Sequence, residues 1–227
     1  MSTILVLGGS GGLGAAVIEA LHERGFATVN FSRETVDLTN DDHIAEAIEE
    51  SIFVVEGVVN CCGTNYLVPF DEVNFGAFME AMDVNAFVLP RVLQALRHDK
   101  AINAGAAVCN VISNAAHIPM THSLIYNASK AAQEMITRQL ARELKEYCVF
   151  GVNPNKLAGT GMSRAIEKKV LELRGWTPEE ALKYQLAALP AGVETPPEAL
   201  GRFIAELMMP HHHPFITSCI FPYGGPQ

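Results

Sequence analysis

Short apolar runs alternate with longer amphipathic stretches along this chain. Residues 3–7 are β-branched and apolar and end at a glycine cluster, which predicts a strand buried on both faces. Apolar positions over 15–23 then recur with helical period, and Gly25 supplies a stop. The same reasoning predicts strands at 27–31, 36–38, 58–61, 107–112, 149–153 and 215–221, seven in all with the first. Helices are expected at 39–51, capped by Thr39 or Asn40, at 74–97 with Pro90 as an interruption, and at 123–147. One or two more fall in 162–189, where Thr177-Pro178-Glu179 reads as a restart. The last helix opens at Thr195-Pro196-Pro197-Glu198 and runs to about residue 208. This alternation predicts an α/β fold: a doubly wound, mostly parallel seven-stranded sheet with helices on both faces. No repeat, low-complexity tract or shift in composition divides the chain, so residues 1–227 read as one domain.

Composition narrows the picture. With 227 residues and 49% hydrophobic content the chain can bury one substantial core. Charged residues are only 18%, which argues against disorder, and a formal net charge of −9 without a basic cluster argues against a nucleic-acid groove. The five cysteines (Cys61, Cys62, Cys109, Cys148, Cys219) lack metal or disulfide spacing and read as small buried residues in a reducing compartment. With neither a leader-like N-terminus nor a run of about 20 apolar residues, a cytoplasmic protein without a membrane partner is expected. His211-His212-His213, between Pro210 and Pro214 with no carboxylate close by in sequence, reads as a solvated connector, so no metal is expected. Met79, Met82, Met208 and Met209 read as core packing.

Two stretches carry candidate chemistry. Gly8-Gly9-Ser10-Gly11-Gly12-Leu13-Gly14 lies between a predicted strand and a predicted helix, where backbone N–H groups and a helix N-terminus can meet a pyrophosphate. Tyr126 and Lys130 stand four residues apart on a predicted helix, hence on one face. An ammonium beside a phenol favours the phenolate and moves it toward the range of a working acid or base. Ser113 ends a predicted strand thirteen residues before Tyr126.

Gly8, Gly12 and Gly14 give the pattern G-x-x-x-G-x-G, and with Tyr126 and Lys130 on a later helix the chain resembles the short-chain dehydrogenase/reductase family. The resemblance covers nearly the whole chain and implies a Rossmann-type sheet. It implies a catalytic set of Asn85, Ser113, Tyr126 and Lys130. It assigns cofactor contacts to Gly8, Ser10, Gly12, Leu13, Gly14, Ser32, Arg33, Asp37, Leu38, Asn60, Cys61, Gly63, Tyr126, Lys130, Pro154 and Thr160. The chain departs from the family where Cys61-Cys62 replace Asn-Ala, where Asn155 replaces a glycine after Pro154, and in one extra residue before Thr160. Asparagine is the best substitute for glycine where φ is positive, so a left-handed Asn155 is expected.

The residue ending the second strand reads the adenosine ribose. Ser32-Arg33 suits a 2′-phosphate by charge and fork geometry, which favours NADP(H); NAD(H) stays open if Arg33 is solvated and Glu34 turns inward. The expected function is hydride transfer between nicotinamide and a carbonyl or secondary alcohol of a small molecule. The alternative is a dinucleotide-binding regulator without catalysis. Residues 162–190 would form a substrate-side helical lid, His117 and His122 flank the catalytic segment, and residues 221–225 and the family's habits suggest a homodimer or homotetramer.

Overall fold

The computed structural model describes residues 2–51 and 53–224. Its sheet has six parallel strands in the order β2-β1-β3-β4-β5-β6, formed by β1 (Thr3–Leu7), β2 (Ala27–Phe31), β3 (Val55–Asn60), β4 (Ile102–Val111), β5 (Cys148–Pro154) and β6 (Ile220–Tyr223). The expected seventh strand at 36–38 is a turn. Val36 and Leu38 are buried in the core while the Asp37 carboxylate accepts from the N–H (3.0 Å) and hydroxyl (2.7 Å) of Thr39. Alternate residues are buried as in a strand, but Asp37 and Thr39 close an Asx-type turn that leads straight into α2 (Asp41–Glu49). The expected strand 215–221 also shortens, because α9 (His213–Ile216) occupies its start.

Both faces of the sheet are covered, which is why the strands are almost wholly apolar. Leu5, Leu7, Val58 and Val108 face a cluster with Ile44 of α2, Val92 and Leu96 of α4 (Val88–His98) and Leu144 after α5 (Leu124–Glu143). Ile4, Val6, Val59 and Phe150 face the opposite cluster with Val17 and Leu21 of α1 (Gly12–Glu23) and Leu200 and Ile204 of α8 (Pro197–Leu207). Helices α1 and α8 touch at Gly201, where a Cβ would lie 2.7 Å from the Ala16 carbonyl oxygen.

The single helix expected over 74–97 is three pieces. α3 (Phe75–Met82), capped by the Asn74 side chain, passes through a π-helical turn at Asp83–Phe87 into α4. Pro90 has no N–H for the carbonyl four residues back, and the wider turn lies where that bond would fail. The turn contains Asn85. After β5 come α6 (Gly161–Arg174), stopped by Gly175 at φ +63, and α7 (Pro178–Ala187), opened by a Thr177–Glu180 capping box.

Register gathers the ends of the strands. Leu7 pairs with Phe31 and Asn60, Asn60 with Asn110, Val111 with Val152, and Pro154 with Tyr223. The segments that follow therefore emerge along one edge, with β1 at the point where the strand order reverses.

Candidate active site

At that edge the glycine loop is tightly specified. Gly8 has φ +78, and a Cβ on Gly14 would lie 2.2 Å from the Gly8 carbonyl oxygen, so no other residue fits position 14 without moving the backbone. The loop is pinned from the next strand by Gly8 N–H to the Phe31 carbonyl (2.7 Å) and Gly9 N–H to Asn30 Oδ1 (2.9 Å). Ser10, Gly11 and Gly12 stay exposed at the mouth of α1, while the Leu13 side chain joins the core. A Cβ on Gly12 would meet the methyl of Thr160 at 3.2 Å, so the loop opening α6 lies against the one opening α1. Thr160 caps α6, its Oγ1 accepting from Ser163 N–H (3.1 Å).

Ser32 is buried at the end of β2, and Arg33 and Glu34 are both exposed on the turn that follows. The Arg33 charge bears on Cys62 and on Tyr66. Asp37, hydrogen-bonded to Thr39, has its carboxyl held below the ordinary carboxylate range, and Leu38 points into the core.

After β3, Asn60 accepts from Cys62 N–H (3.1 Å) and donates to Asn110 Oδ1 (2.9 Å). A Cβ on Gly63 would lie 3.5 Å from Asn85 Oδ1, 3.6 Å from Lys130 Nζ and 3.7 Å from Met162 Cε, so three elements converge on that glycine. Burial pushes the Cys62 thiol up to about 12 and the Cys61 thiol higher still, so neither is poised as a thiolate. All five cysteines are free, Cys109 and Cys148 buried and the other three half-buried.

The four candidate catalytic residues lie on the π turn, the end of β4 and α5. Asn85 is buried in a closed pair with Thr64: its Oδ1 accepts from Thr64 N–H (2.8 Å) and its Nδ2 donates to the Thr64 carbonyl (2.9 Å) and to Ser129 Oγ (2.8 Å). Ser129 in turn donates to the Tyr126 carbonyl (2.9 Å). Ser113 follows β4, its hydroxyl accepting from Ala115 N–H (3.1 Å). The half-buried Tyr126 phenol is pushed above its ordinary value by burial, and the nearby Ser113 hydroxyl opposes that shift. Lys130 is buried beside it, Nζ lying 5.8 Å from the Tyr126 ring centroid, and burial pulls the amine down to about 7. Burial thus pulls Lys130 toward neutrality, and the phenol is raised rather than lowered as its spacing from Lys130 suggested.

Sequence reasoning missed what holds Lys130. Tyr126, Lys130, Gln133 and Thr137 follow one another at helical spacing along α5. Lys130 Nζ donates to Gln133 Oε1 (2.7 Å), and Gln133 Nε2 donates to Asn110 Oδ1 (2.7 Å). Asn110 Nδ2 donates to Thr137 Oγ1 (2.8 Å), and Asn110 Oδ1 also receives Asn60. Gln133, Thr137, Asn110 and Asn60 are all fully buried, which ties the lysine to the middle of the sheet through neutral amides. The signal was a glutamine and a threonine in line with the tyrosine and lysine on the face expected to be buried.

One other expectation changes. Asn155 is not left-handed; its Nδ2 donates to the Gly224 carbonyl (2.8 Å) and its Oδ1 accepts from Asn114 (2.7 Å), linking the segment after Ser113 to the end of β6. His117 pairs with Glu134 (2.7 Å), which also receives Asn153 (2.9 Å) and Arg138 (2.9 Å). Burial pushes the Glu134 carboxyl up, but these three partners outweigh it and leave it below the ordinary range. His122 is half-buried, with φ +64 and its carbonyl bonded to Val68 N–H (2.9 Å).

Residues 35–171 match the family described as short chain dehydrogenase. The chain belongs to that family. The match begins beyond the glycine loop and ends within α6, and it makes this protein an oxidoreductase by descent. Among curated proteins, a Schizosaccharomyces pombe NADPH-dependent 1-acyldihydroxyacetone phosphate reductase is 27% identical over 188 residues, 74% of this chain but only 62% of its own length. Human L-xylulose reductase is 25% identical over 206 residues, 83% of this chain and 81% of its own. Among solved structures, a Francisella tularensis short chain dehydrogenase family protein has a TM-score of 0.86 at 23% identity, covering 98% of this chain and 96% of that one. An actinorhodin polyketide ketoreductase with NADPH has a TM-score of 0.87 at 18% identity, covering 99% and 96%. Both likenesses establish that this dehydrogenase has the family's Rossmann-type fold. Among the described residues, no helix is long and apolar enough to cross a membrane.

Proposed function

We propose that this dehydrogenase is an NADP(H)-dependent reductase of small-molecule carbonyls, acting through Asn85, Ser113, Tyr126 and Lys130. The observation that carries the reading is the convergence of Ser113, at the end of β4, on the Tyr126 phenol, with a buried lysine one helical turn further on. The cradle at Gly8, Gly12 and Gly14, where a Cβ on Gly14 would collide with backbone and one on Gly8 or Gly12 would press on Cys61-Cys62 or Thr160, fits a dinucleotide pyrophosphate. When bound, the nicotinamide cofactor supplies or takes the hydride.

The protein's own residues orient substrate and manage the proton. Ser113 Oγ hydrogen-bonds the carbonyl oxygen and stabilises charge developing there. Tyr126 gives that oxygen its proton in reduction and takes it back in oxidation; a phenol raised by burial is a protonated acid at neutral pH. Protonated Lys130 favours the phenolate during the reverse step, and Asn85 would hold a water that connects Lys130 to solvent. The exposed Arg33, on the turn that follows β2, supports 2′-phosphate recognition by charge and fork geometry. The NADPH-dependent relative supports the same preference. Helices α6 and α7 would cover the substrate, with Met162 reaching toward Gly63.

A homodimer or homotetramer is part of this proposal. Phe70, Phe75 and Met79 are exposed before and along α3, Met79 contrary to its expected place in the core, and Met135 is exposed on α5, against which α3 packs. Of the tail expected at the interface, Phe221 and Tyr223 pack on Phe203 of the same chain, and Gly225 lies outside the described residues. Light scattering on the eluted protein tests the assembly. The activity is tested by following NADPH and NADH oxidation in parallel over a panel of ketones and ketoses. NADPH should be consumed faster, and Arg33→Ala should raise the KM for NADPH by roughly tenfold or more while sparing NADH. A clear preference for NADH would overturn the cofactor assignment. Tight cofactor binding without any turnover would favour the regulator.

A further inference from the structure

The connector at His211-His212-His213 is not a free loop. Pro210–His212 form a 3-10 turn directly after α8, and the turn is anchored: His213 Nε2 meets the Met208 carbonyl (3.2 Å) and Cys148 Sγ meets the His213 carbonyl (3.3 Å). The turn folds His211 and His212 back over the last turn of α8, their ring centroids 3.9 Å apart. Glu206 Oε1 lies 3.1 Å from His212 Nε2 and 3.9 Å from His211 Nε2, and the three donor atoms all fall within 4.8 Å of one another. The carboxylate that sequence spacing did not offer arrives from the helix end. The other oxygen of Glu206 is paired with Arg24 at the end of α1, which fixes how the carboxylate is turned.

We propose that Glu206, His211 and His212 form a site for a divalent transition ion such as Zn2+, Ni2+ or Co2+. A tetrahedral ion with bonds of about 2.0–2.2 Å separates its ligands by about 3.4 Å, so the present spacing needs adjustments of only an ångström or so. Two imidazoles and one carboxylate suit borderline ions, whereas Ca2+ and Mg2+ take mainly oxygen ligands. Three protein ligands leave room for water, and the side chains are open enough for an ion to enter, His211 being 62% exposed. The group lies beside Cys148, which begins β5, whereas Tyr126 and Ser113 stand at the other end of the strands. The ion therefore staples α8 to the turn that leads into β6 and acts on stability rather than chemistry.

The test uses the full chain without an affinity tag, titrated with Zn2+ and, separately, Ni2+ by calorimetry, with Tm followed alongside. One ion per chain is expected, and at a hundredfold excess over its Kd the Tm should rise by roughly 5–10 °C. The His211→Asn/His212→Asn double variant should lose both effects, Glu206→Gln should weaken binding at least tenfold, and Arg24→Gln, which keeps all three donors, should bind within a few-fold of wild type. Circular dichroism of the ion-free variants checks that each is folded. Zn2+ binding that survives the double histidine variant belongs to the free cysteines and overturns the proposal. So does an equal shift with Mg2+, or a Glu206→Gln variant that binds as wild type does.

Discussion

The frame around Lys130 and the pair α6–α7 are built in opposite ways. Around Lys130, every amide of Asn60, Asn110 and Gln133 is buried and engaged, and Asn85 is locked to Thr64 on both of its polar atoms. In α6 only Ser163 is buried, and in α7 no residue is. What attaches that pair is Lys156, which bridges to Glu167 of α6 (2.7 Å) and to Glu194 beyond α7 (3.0 Å), and a cap in which Arg174 stands over the rings of Trp176 (4.5 Å) and Tyr184 (5.0 Å). A frame of fully satisfied buried polar groups is costly to distort, which suits it to carry the groups proposed to react. A segment with little buried surface opens at low free energy, which suits a substrate cover. Substitutions in the first region should strike turnover, and those in the second should strike substrate affinity.

The largest effect is expected at the reacting group itself. Tyr126→Phe keeps the ring and removes the proton donor, so kcat/KM should fall by about a thousandfold, while cofactor Kd and Tm stay near wild type. Wild-type-like turnover in this variant would remove Tyr126 from the chemistry. Lys130→Met comes next and separates activity from stability. The amine titrates near 7 in the fold and near 10.4 when unfolded, so between those values the unfolded chain holds the extra proton and wild-type stability rises with pH. The variant should lack turnover yet exceed wild type in Tm at or below pH 7, with the gain shrinking toward pH 10. A difference in Tm that is the same at every pH would mean that Lys130 is not buried as an amine.

Gln133→Leu tests the frame one step back. Leucine fits a buried helix face, but it leaves Lys130 Nζ and Asn110 Oδ1 each short of a partner, costing about 1–3 kcal/mol in stability. Losing an acceptor disfavours the ammonium further, so the alkaline limb of the kcat/KM profile should move to lower pH; Gln133→Glu should move it the other way. Profiles that coincide would reduce Gln133 to packing.

How much of this could be read from the sequence follows the same division. The glycine loop, Ser113, Tyr126 and Lys130 were legible as candidates because the chemistry proposed for them depends on fixed spacing within or next to one element. The alternation of apolar runs gave the layers, and failed at 36–38 because an Asx turn buries alternate residues as a strand does. Asn60, Asn110 and Gln133 come together only through strand register and the seat of α5 on the sheet, which no local pattern encodes. Asn155 was misjudged for a related reason: its role is set by Asn114 and Gly224, which are distant in sequence, and not by its own backbone. Glu206 and the histidines were read apart because a helix end separates them.

The smallest expected effect belongs to the cover. Lys156 is mostly buried and serves two carboxylates, so Lys156→Met keeps the aliphatic stem and removes only the charge that draws Glu167 and Glu194 together. Left without it, the two acids repel, and α6 and α7 should spend more time away from the site. KM for the carbonyl substrate should rise several-fold, with kcat changed by less than a factor of two or three and Tm by only a few degrees. Amide exchange across 161–187 should quicken in the variant while exchange across α5 stays as slow as in wild type. Should kcat fall with KM unmoved, or exchange in α5 quicken equally, the two regions would be one unit, and the separation of chemistry from substrate cover drawn here would fail.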